Sequence, residues 1–249
     1  MMRMTDMVKH LLIINIIFFV GSFLAPQAQE LLALHYFEND RFRIWQPLTH
    51  MFMHGGIGHI FFNMFALVMF GSTLEHFWGG KKFLFFYISC GLGAMLLHTA
   101  VNYYSVHEGV SILIENGFSK QEIYSLLNEE KYNLQWQEFL SPTVFQNMTQ
   151  GFIGVAVGAS GAIYGLLVAY AFMFPNAELM LIFLPVPIKA KYFVPGLLLM
   201  DLYLGLNGNP ILGGSTGIAH FAHIGGAIIG FVMMWYWKKN QFDRNRWDR

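Results

Sequence analysis

Gly158-Ala159-Ser160-Gly161-Ala162-Ile163-Tyr164-Gly165 stands near the start of an apolar run that continues to Phe174. One small hydroxyl sits between two glycines where the chain enters hydrocarbon. Small residues there let helices pack closely, or let another group approach the hydroxyl. Gly151, Gly154 and Gly158 precede the serine, so the helix is expected to begin only near Ser160. That would put the hydroxyl at a helix N-terminus, where free N–H groups stabilise developing negative charge. Ser160 and Tyr164, four residues apart, share a helix face.

The composition around this stretch is that of a membrane protein. The 249 residues have a mean hydropathy of +0.44, with 55% hydrophobic and only 12% charged residues. A soluble domain carries about 25% charged residues. The formal net charge is zero and no basic patch interleaved with aromatics occurs, which leaves no case for nucleic acid as a partner. Cys90 is the single cysteine, so no internal disulfide forms.

Six apolar spans are expected: Val8–Ala25, His59–Trp78, Phe83–Tyr104, roughly Gly151–Phe174, Tyr192–Leu206 and Gly217–Trp237. The proline-broken segment Leu179–Lys191 reads as an interfacial loop rather than a crossing. With the N-terminus inside, 11 of the 15 Lys and Arg residues fall on the cytoplasmic side, which places both termini there. Ala25-Pro26-Gln27-Ala28 loosely resembles a signal-peptide cleavage site, but cleavage would leave five spans, and the first run is read as a retained span. Ser105–Gln150 is the least hydrophobic stretch and reads as an outer-face insertion. Ser119-Lys120-Gln121-Glu122 within it has the form of a capping box that starts a short helix.

Polar side chains at membrane depth are costly and need a reason. His59 and Asn63 lie one turn apart on the second span, where they serve either as helix–helix glue or as paired hydrogen-bond donors. On the last span, His223, Gly226 and Gly230 share a face, and Gly226-xxx-Gly230 makes a close-packing seam. If that seam meets the fourth span, His223 comes within reach of Ser160. A serine nucleophile, a histidine base and two donors on a separate helix are the parts acyl transfer requires. Asp201 is an acid in an apolar run and falls near the outer end of the fifth span. The expectation is therefore a Ser160/His223 dyad without a carboxylate, its imidazole held by stacking on Tyr164.

At this point the chain resembles the rhomboid intramembrane serine proteases, from about Trp45 to Gly230. Trp45-Gln46 resembles the family's Trp-Arg element, with Gln46 where arginine is usual. His54-x4-His59-x3-Asn63, Gly158-x-Ser160-Gly161 and Ala222-His223-x2-Gly226-x3-Gly230 match the family's motifs in order. The resemblance implies an all-α polytopic fold, a six-transmembrane-helix bundle spanning residues 8–237. The cation distribution puts the N-terminus at 1–7 and the charged tail at 238–249 in the cytoplasm, and the outer-face insertion at 105–150 is a departure from the family's pattern, longer than expected between the third and fourth spans. The resemblance implies Ser160 as nucleophile, His223 as base, and His59, Asn63 and the Ser160 backbone N–H as oxyanion donors, with Gly158 and Tyr164 supporting and Gly161, Gly226 and Gly230 packing helices. It further implies a water-filled cavity open to the outer face, with the fifth span and the Asn207–Gly217 loop as gate and cap.

The expected reaction is hydrolysis of peptide bonds in or near the transmembrane segments of single-span membrane proteins, in the lipid bilayer and without a cofactor. The expected location is a bacterial inner membrane. An inactive rhomboid-like protein that binds transmembrane helices is the alternative, and retention of both Ser160 and His223 argues against it. A metal or haem site at His50, His54 and His59, or at His220 and His223, lacks cysteine or carboxylate partners in this reading, so no metal is expected. A transporter would show repeated halves, and the sequence has no internal repeat. His98 and Asn102 read as polar residues bonding between helices.

Overall fold

The computed structural model describes residues 4–25, 27–181, 184–207 and 217–240. The charged tail beyond Asn240 and most of the expected cap loop lie outside these residues.

The first helix, α1 (Asp6–Leu24), leaves its first N–H groups without partners inside the helix. A carboxylate from elsewhere supplies them. Glu75 is buried, and its oxygens accept from the N–H groups of Met7 and Val8, each at 2.9 Å, and from the Thr5 hydroxyl. An anion there also opposes the positive end of the helix dipole. Ile13, Ile16, Ile17, Val20 and Phe23 of α1 remain exposed, as side chains facing lipid do.

After the short α2 (Gln27–Leu32) comes a loop organised by Gln46, at the start of α3 (Gln46–Thr49). Its amide is fully buried. Nε2 donates to the carbonyl of Arg41 at 3.0 Å and to those of Glu30 and Leu31 at longer range, and Oε1 accepts from the N–H of Arg43 and His35. An amide, unlike a guanidinium, can both donate and accept here. A 3-10 turn over His50–Phe52 follows.

The next helix is continuous over Ile57–Trp78, as α4 (Ile57–Ala66), a π turn at Leu67–Gly71 and α5 (Ser72–Trp78). Gly79, at φ 76°, reverses the chain into α6 (Gly80–Glu115). This helix runs well past the expected end at Tyr104. Val106, Val110 and Leu113 continue the apolar face at helical spacing and are buried, although His107 and Glu108 make the segment look polar.

The remainder of the 105–150 segment is helical beyond the one short helix expected. It forms α7 (Lys120–Asn128), α8 (Trp136–Phe139) and α9 (Pro142–Ile153), packed on a second apolar core built from Val106, Leu113, Ile123, Leu127, Trp136 and Phe152. The expected capping box is present: the Ser119 hydroxyl accepts from the Glu122 N–H at 3.1 Å. Glu38 ties this layer to the first loop by accepting from the hydroxyls of Tyr36 and Tyr124 and by pairing with His107. Burial, reinforced by the nearby Glu38 carboxylate, raises the pKa of both tyrosines.

Helix α10 (Ser160–Met173) begins at the serine, as expected. Pro175-Asn176 ends it, and where an interfacial loop is expected over Leu179–Lys191 the described residues form two antiparallel strands that lead into the next helix. The strands are β1 (Glu178–Leu181) and β2 (Leu184–Lys189), with Glu178 opposite Lys189 and Leu179 opposite Ile188. Both strands of a two-stranded sheet are edges, so Pro185 and Pro187 are tolerated. Then α11 (Ala190–Asn207) and α12 (Gly217–Asn240) complete the described chain.

Helix α12 packs chiefly on α6 and α10, with α11 alongside α12. The contact between α10 and α12 is the expected glycine seam. A Cβ on Gly226 would meet the Gly161 carbonyl, and one on Gly230 would lie 2.8 Å from the Cα of Gly165. Trp237 stacks edge-on with Trp78 at 5.3 Å and holds the Lys82 ammonium 4.0 Å from its ring, so the α5–α6 turn and the end of α12 meet. The Glu75 cap brings the start of α1 to the same end. Among the described residues, Asp6–Leu24, Ile57–Trp78 and Gly80–Glu115 are long and apolar enough to cross a membrane, and Ser160–Met173 is apolar but shorter.

Candidate active site

The chain before Ser160 is extended and held on both sides. Leu34 and Ala156 exchange backbone hydrogen bonds of 3.0 and 2.9 Å, and the Gly158 N–H donates to the His50 carbonyl at 2.9 Å. Gly158 then takes φ 124°, a conformation that side chains disfavour, and the helix starts two residues later. The first intrahelical bond is from the Ile163 N–H to the Ala159 carbonyl, which leaves the Ser160 N–H among the free donors of the helix start.

The seam brings His223 over this point. Its Nε2 lies 3.0 Å from the Ser160 hydroxyl oxygen, and its ring stacks on Tyr164 with centroids 4.1 Å apart and planes 11° from parallel. The two remote segments joined by the sequence reading therefore meet, with Tyr164 where the resemblance put it. The other ring nitrogen corrects the expectation of a dyad without a carboxylate. His223 Nδ1 faces Asp201 Oδ1 at 3.4 Å, and the same oxygen is hydrogen-bonded to His220 Nδ1. Asp201 is 3% exposed. A carboxylate there keeps the Nδ1 proton in place and leaves the Nε2 lone pair toward the serine.

The donors stand across from this pair. His59 Nδ1 accepts from the Gly55 N–H at 3.3 Å, which puts the ring proton on Nε2. A Cβ on Gly158 would lie 2.7 Å from that Nε2 and 3.8 Å from Asn63 Nδ2, so the glycine is what allows both side chains to reach the serine's approach. The Asn63 Nδ2 is buried without a hydrogen-bond partner. An unpartnered buried donor costs stability in the resting protein, and gains a partner when an oxyanion forms.

A cavity of about 700 Å³ opens onto these groups, lined among others by His50, His59, His98, Gln150, Ser160 and His223. Asn102 Oδ1 and Gln150 Oε1, also on its wall, are buried without protein partners. Polar walls of that kind suit water. His98 and Asn102 hydrogen-bond to each other at 3.2 Å within α6, rather than solely between helices as the sequence suggested. His50 is buried, its Nδ1 bonded to the Gln46 carbonyl at 2.9 Å, and burial lowers its pKa to about 4.

A family model described as a rhomboid domain matches residues 41–153 and 139–240. The chain belongs to the rhomboid family. It is 27% identical to rhomboid protease AarA of Providencia stuartii over 76% of this chain and 54% of that protein. It is 25% identical to the mitochondrial rhomboid protein 1 of Saccharomyces cerevisiae, over 76% of this chain and 40% of that protein. It is also 25% identical to the mitochondrial RHOMBOID-like protein 12 of Arabidopsis thaliana, over 80% of this chain and 48% of that protein. The chain thus spans about half the length of these rhomboid relatives. They come from a bacterium and from mitochondria, which does not support the expected bacterial inner membrane in particular.

Proposed function

We propose that this rhomboid is an intramembrane serine endopeptidase, with Ser160 as nucleophile and His223 as its base. The observation that carries the reading is the hydroxyl of Ser160 at 3.0 Å from His223 Nε2, with Asp201 behind the ring. In that arrangement Nε2 takes the hydroxyl proton as Ser160 attacks the scissile carbonyl. The imidazolium formed is stabilised by the Asp201 carboxylate and held flat by Tyr164. His59 Nε2–H, Asn63 Nδ2–H and the Ser160 N–H donate to the oxyanion, one such donor being worth about 3–4 kcal/mol. The imidazolium then returns the proton to the leaving amine, and a cavity water, activated by the same nitrogen, hydrolyses the acyl-enzyme.

The substrates in this reading are single-span membrane proteins. A peptide bond inside an intact helix is shielded, so cleavage falls where the substrate helix frays near small or helix-breaking residues. Six crossings, with both ends of the 8–237 domain on the cytoplasmic side, agree with the cation distribution and with the meeting of α1, the α5–α6 turn and α12 at one end. The layer of α7–α9, which covers most of the 105–150 insertion and runs on to Ile153, reaches the cavity wall at Gln150.

Cleavage of a reporter transmembrane protein by the purified chain in liposomes tests this. Ser160→Ala and His223→Ala abolish cleavage with thermal stability nearly intact, and His220→Ala retains substantial activity. A Ser160→Ala variant that still cuts leaves the inactive helix-binding alternative and a contaminating protease as the explanations.

A further inference from the structure

On the Nδ1 side of His223 the Asp201 carboxylate also meets His220, which the peptidase chemistry does not use. Asp201, His220 and His223 offer one ligand atom each, and the three atoms lie within 4.8 Å of one another. Among the described residues this is the only group of three or more metal-ligating side chains so placed. Asp201 is buried while the His220 and His223 side chains are 25% and 20% exposed, so the carboxylate is fixed and the imidazoles are reachable from solvent. Asp201 Oδ2 is buried without a hydrogen-bond partner. Two imidazoles and a carboxylate, with a fourth position for water, form a donor set that suits Zn²⁺.

We propose that Asp201, His220 and His223 form an inhibitory Zn²⁺ site. The proposal rests on the reading of His223 as the base of Ser160. A neutral imidazole has one proton and one ring lone pair. In the competent state the proton is on Nδ1, toward Asp201, and the lone pair on Nε2, toward Ser160. Zn²⁺ on Nδ1 takes the lone pair at that nitrogen, and the displaced proton moves through solvent to Nε2. The ring then presents N–H to the serine and has nothing with which to accept the hydroxyl proton. No covalent bond in the chain other than N–H is made or broken, and removing the ion restores the first tautomer. His220 turns a two-ligand contact into a site. Mg²⁺, which prefers oxygen ligands, does not compete.

The test uses the full chain in liposomes with the reporter substrate, titrated with ZnCl₂, each variant compared with its own zinc-free rate. The expected result is saturable inhibition that EDTA reverses, no inhibition by MgCl₂, and a half-inhibitory concentration raised about 100-fold in His220→Gln. His76→Gln, at an exposed histidine on α5, leaves it unmoved. A readout independent of turnover is calorimetric zinc binding to the Ser160→Ala protein, which is stoichiometric and is lost on adding His220→Gln. Zinc binding by Ser160→Ala, lost with His220, beside a wild type that cuts nothing, would refute the peptidase reading and keep the site. Cleavage by the wild type with equal zinc sensitivity in His220→Gln, or no saturable binding to Ser160→Ala, would overturn the site.

Discussion

Replacing Gly226 with alanine adds one methyl group to the seam between α10 and α12, and the geometry turns it into a catalytic defect. The new Cβ would lie 2.7 Å from the carbonyl carbon of Gly161 and closer still to its oxygen, against an ordinary contact beginning at 3.4 Å. The neighbour is backbone and cannot rotate away, so α10 and α12 must part by at least 3.4 − 2.7 = 0.7 Å. Ser160 precedes Gly161 and His223 lies one turn before Gly226, so the displacement acts directly across the 3.0 Å contact between them. A separation of about 3.7 Å or more is no longer a hydrogen bond. Misplacement on the order of 1 Å costs about 100-fold in rate, while overpacking costs about 1–3 kcal/mol of stability. Reporter cleavage in liposomes should fall about 100-fold in Gly226→Ala, with a folded protein by thermal shift. Gly21→Ala, where nothing lies within 4 Å of the new Cβ, should match the wild type. Cleavage by Gly226→Ala within about threefold of wild type would refute the inference that this seam sets the Ser160–His223 distance.

Two further outcomes follow from individual side chains. Asn63→Ala removes a buried donor that has no partner in the resting structure, so thermal stability should stay within about 0.5 kcal/mol while the cleavage rate drops about 100-fold without vanishing. A large loss of stability would mean that Asn63 is helix glue. His50 has an ordinary value of 6.5 and is lowered to about 4 by burial, so the unfolded chain takes up the proton first as pH falls. Its contribution is complete above about pH 6.5 and is lost progressively toward pH 4, by about 3 kcal/mol. Thermal unfolding in detergent should show this acid slope, and His50→Gln should flatten it. An unchanged slope would place the titration elsewhere.

What the sequence made legible was what short-range spacing controls. The start of α10 at Ser160, the placing of Ser160 and Tyr164 on one face, the Gly226-xxx-Gly230 spacing and the capping box at Ser119 each rest on residues within about two turns of one another. The long-range partners were harder to see. Asp201 carries no local signal as a partner because it falls near the end of its helix, yet His223 falls equally near the start of its own. Asp201 precedes Asn207 by six residues and His223 follows Gly217 by six, about 9 Å of helix in each case. Matching depths on neighbouring helices is the signal that could have found the pair. Glu75 and Gln46 satisfy backbone groups of segments far along the chain, which no local pattern records. The 105–150 stretch shows only one short helix in sequence because its apolar residues are spread over four helices and only converge in three dimensions.

The claim on which the rest stands is that Ser160 is a nucleophile made reactive by His223. Incubation of the membrane-reconstituted chain with a fluorophosphonate probe, followed by mass-spectrometric mapping of the adduct, tests it most directly. The account predicts labelling at Ser160, strongly reduced in His223→Ala and not in His76→Ala. Labelling of any other residue, or undiminished labelling of Ser160 in His223→Ala, would contradict it.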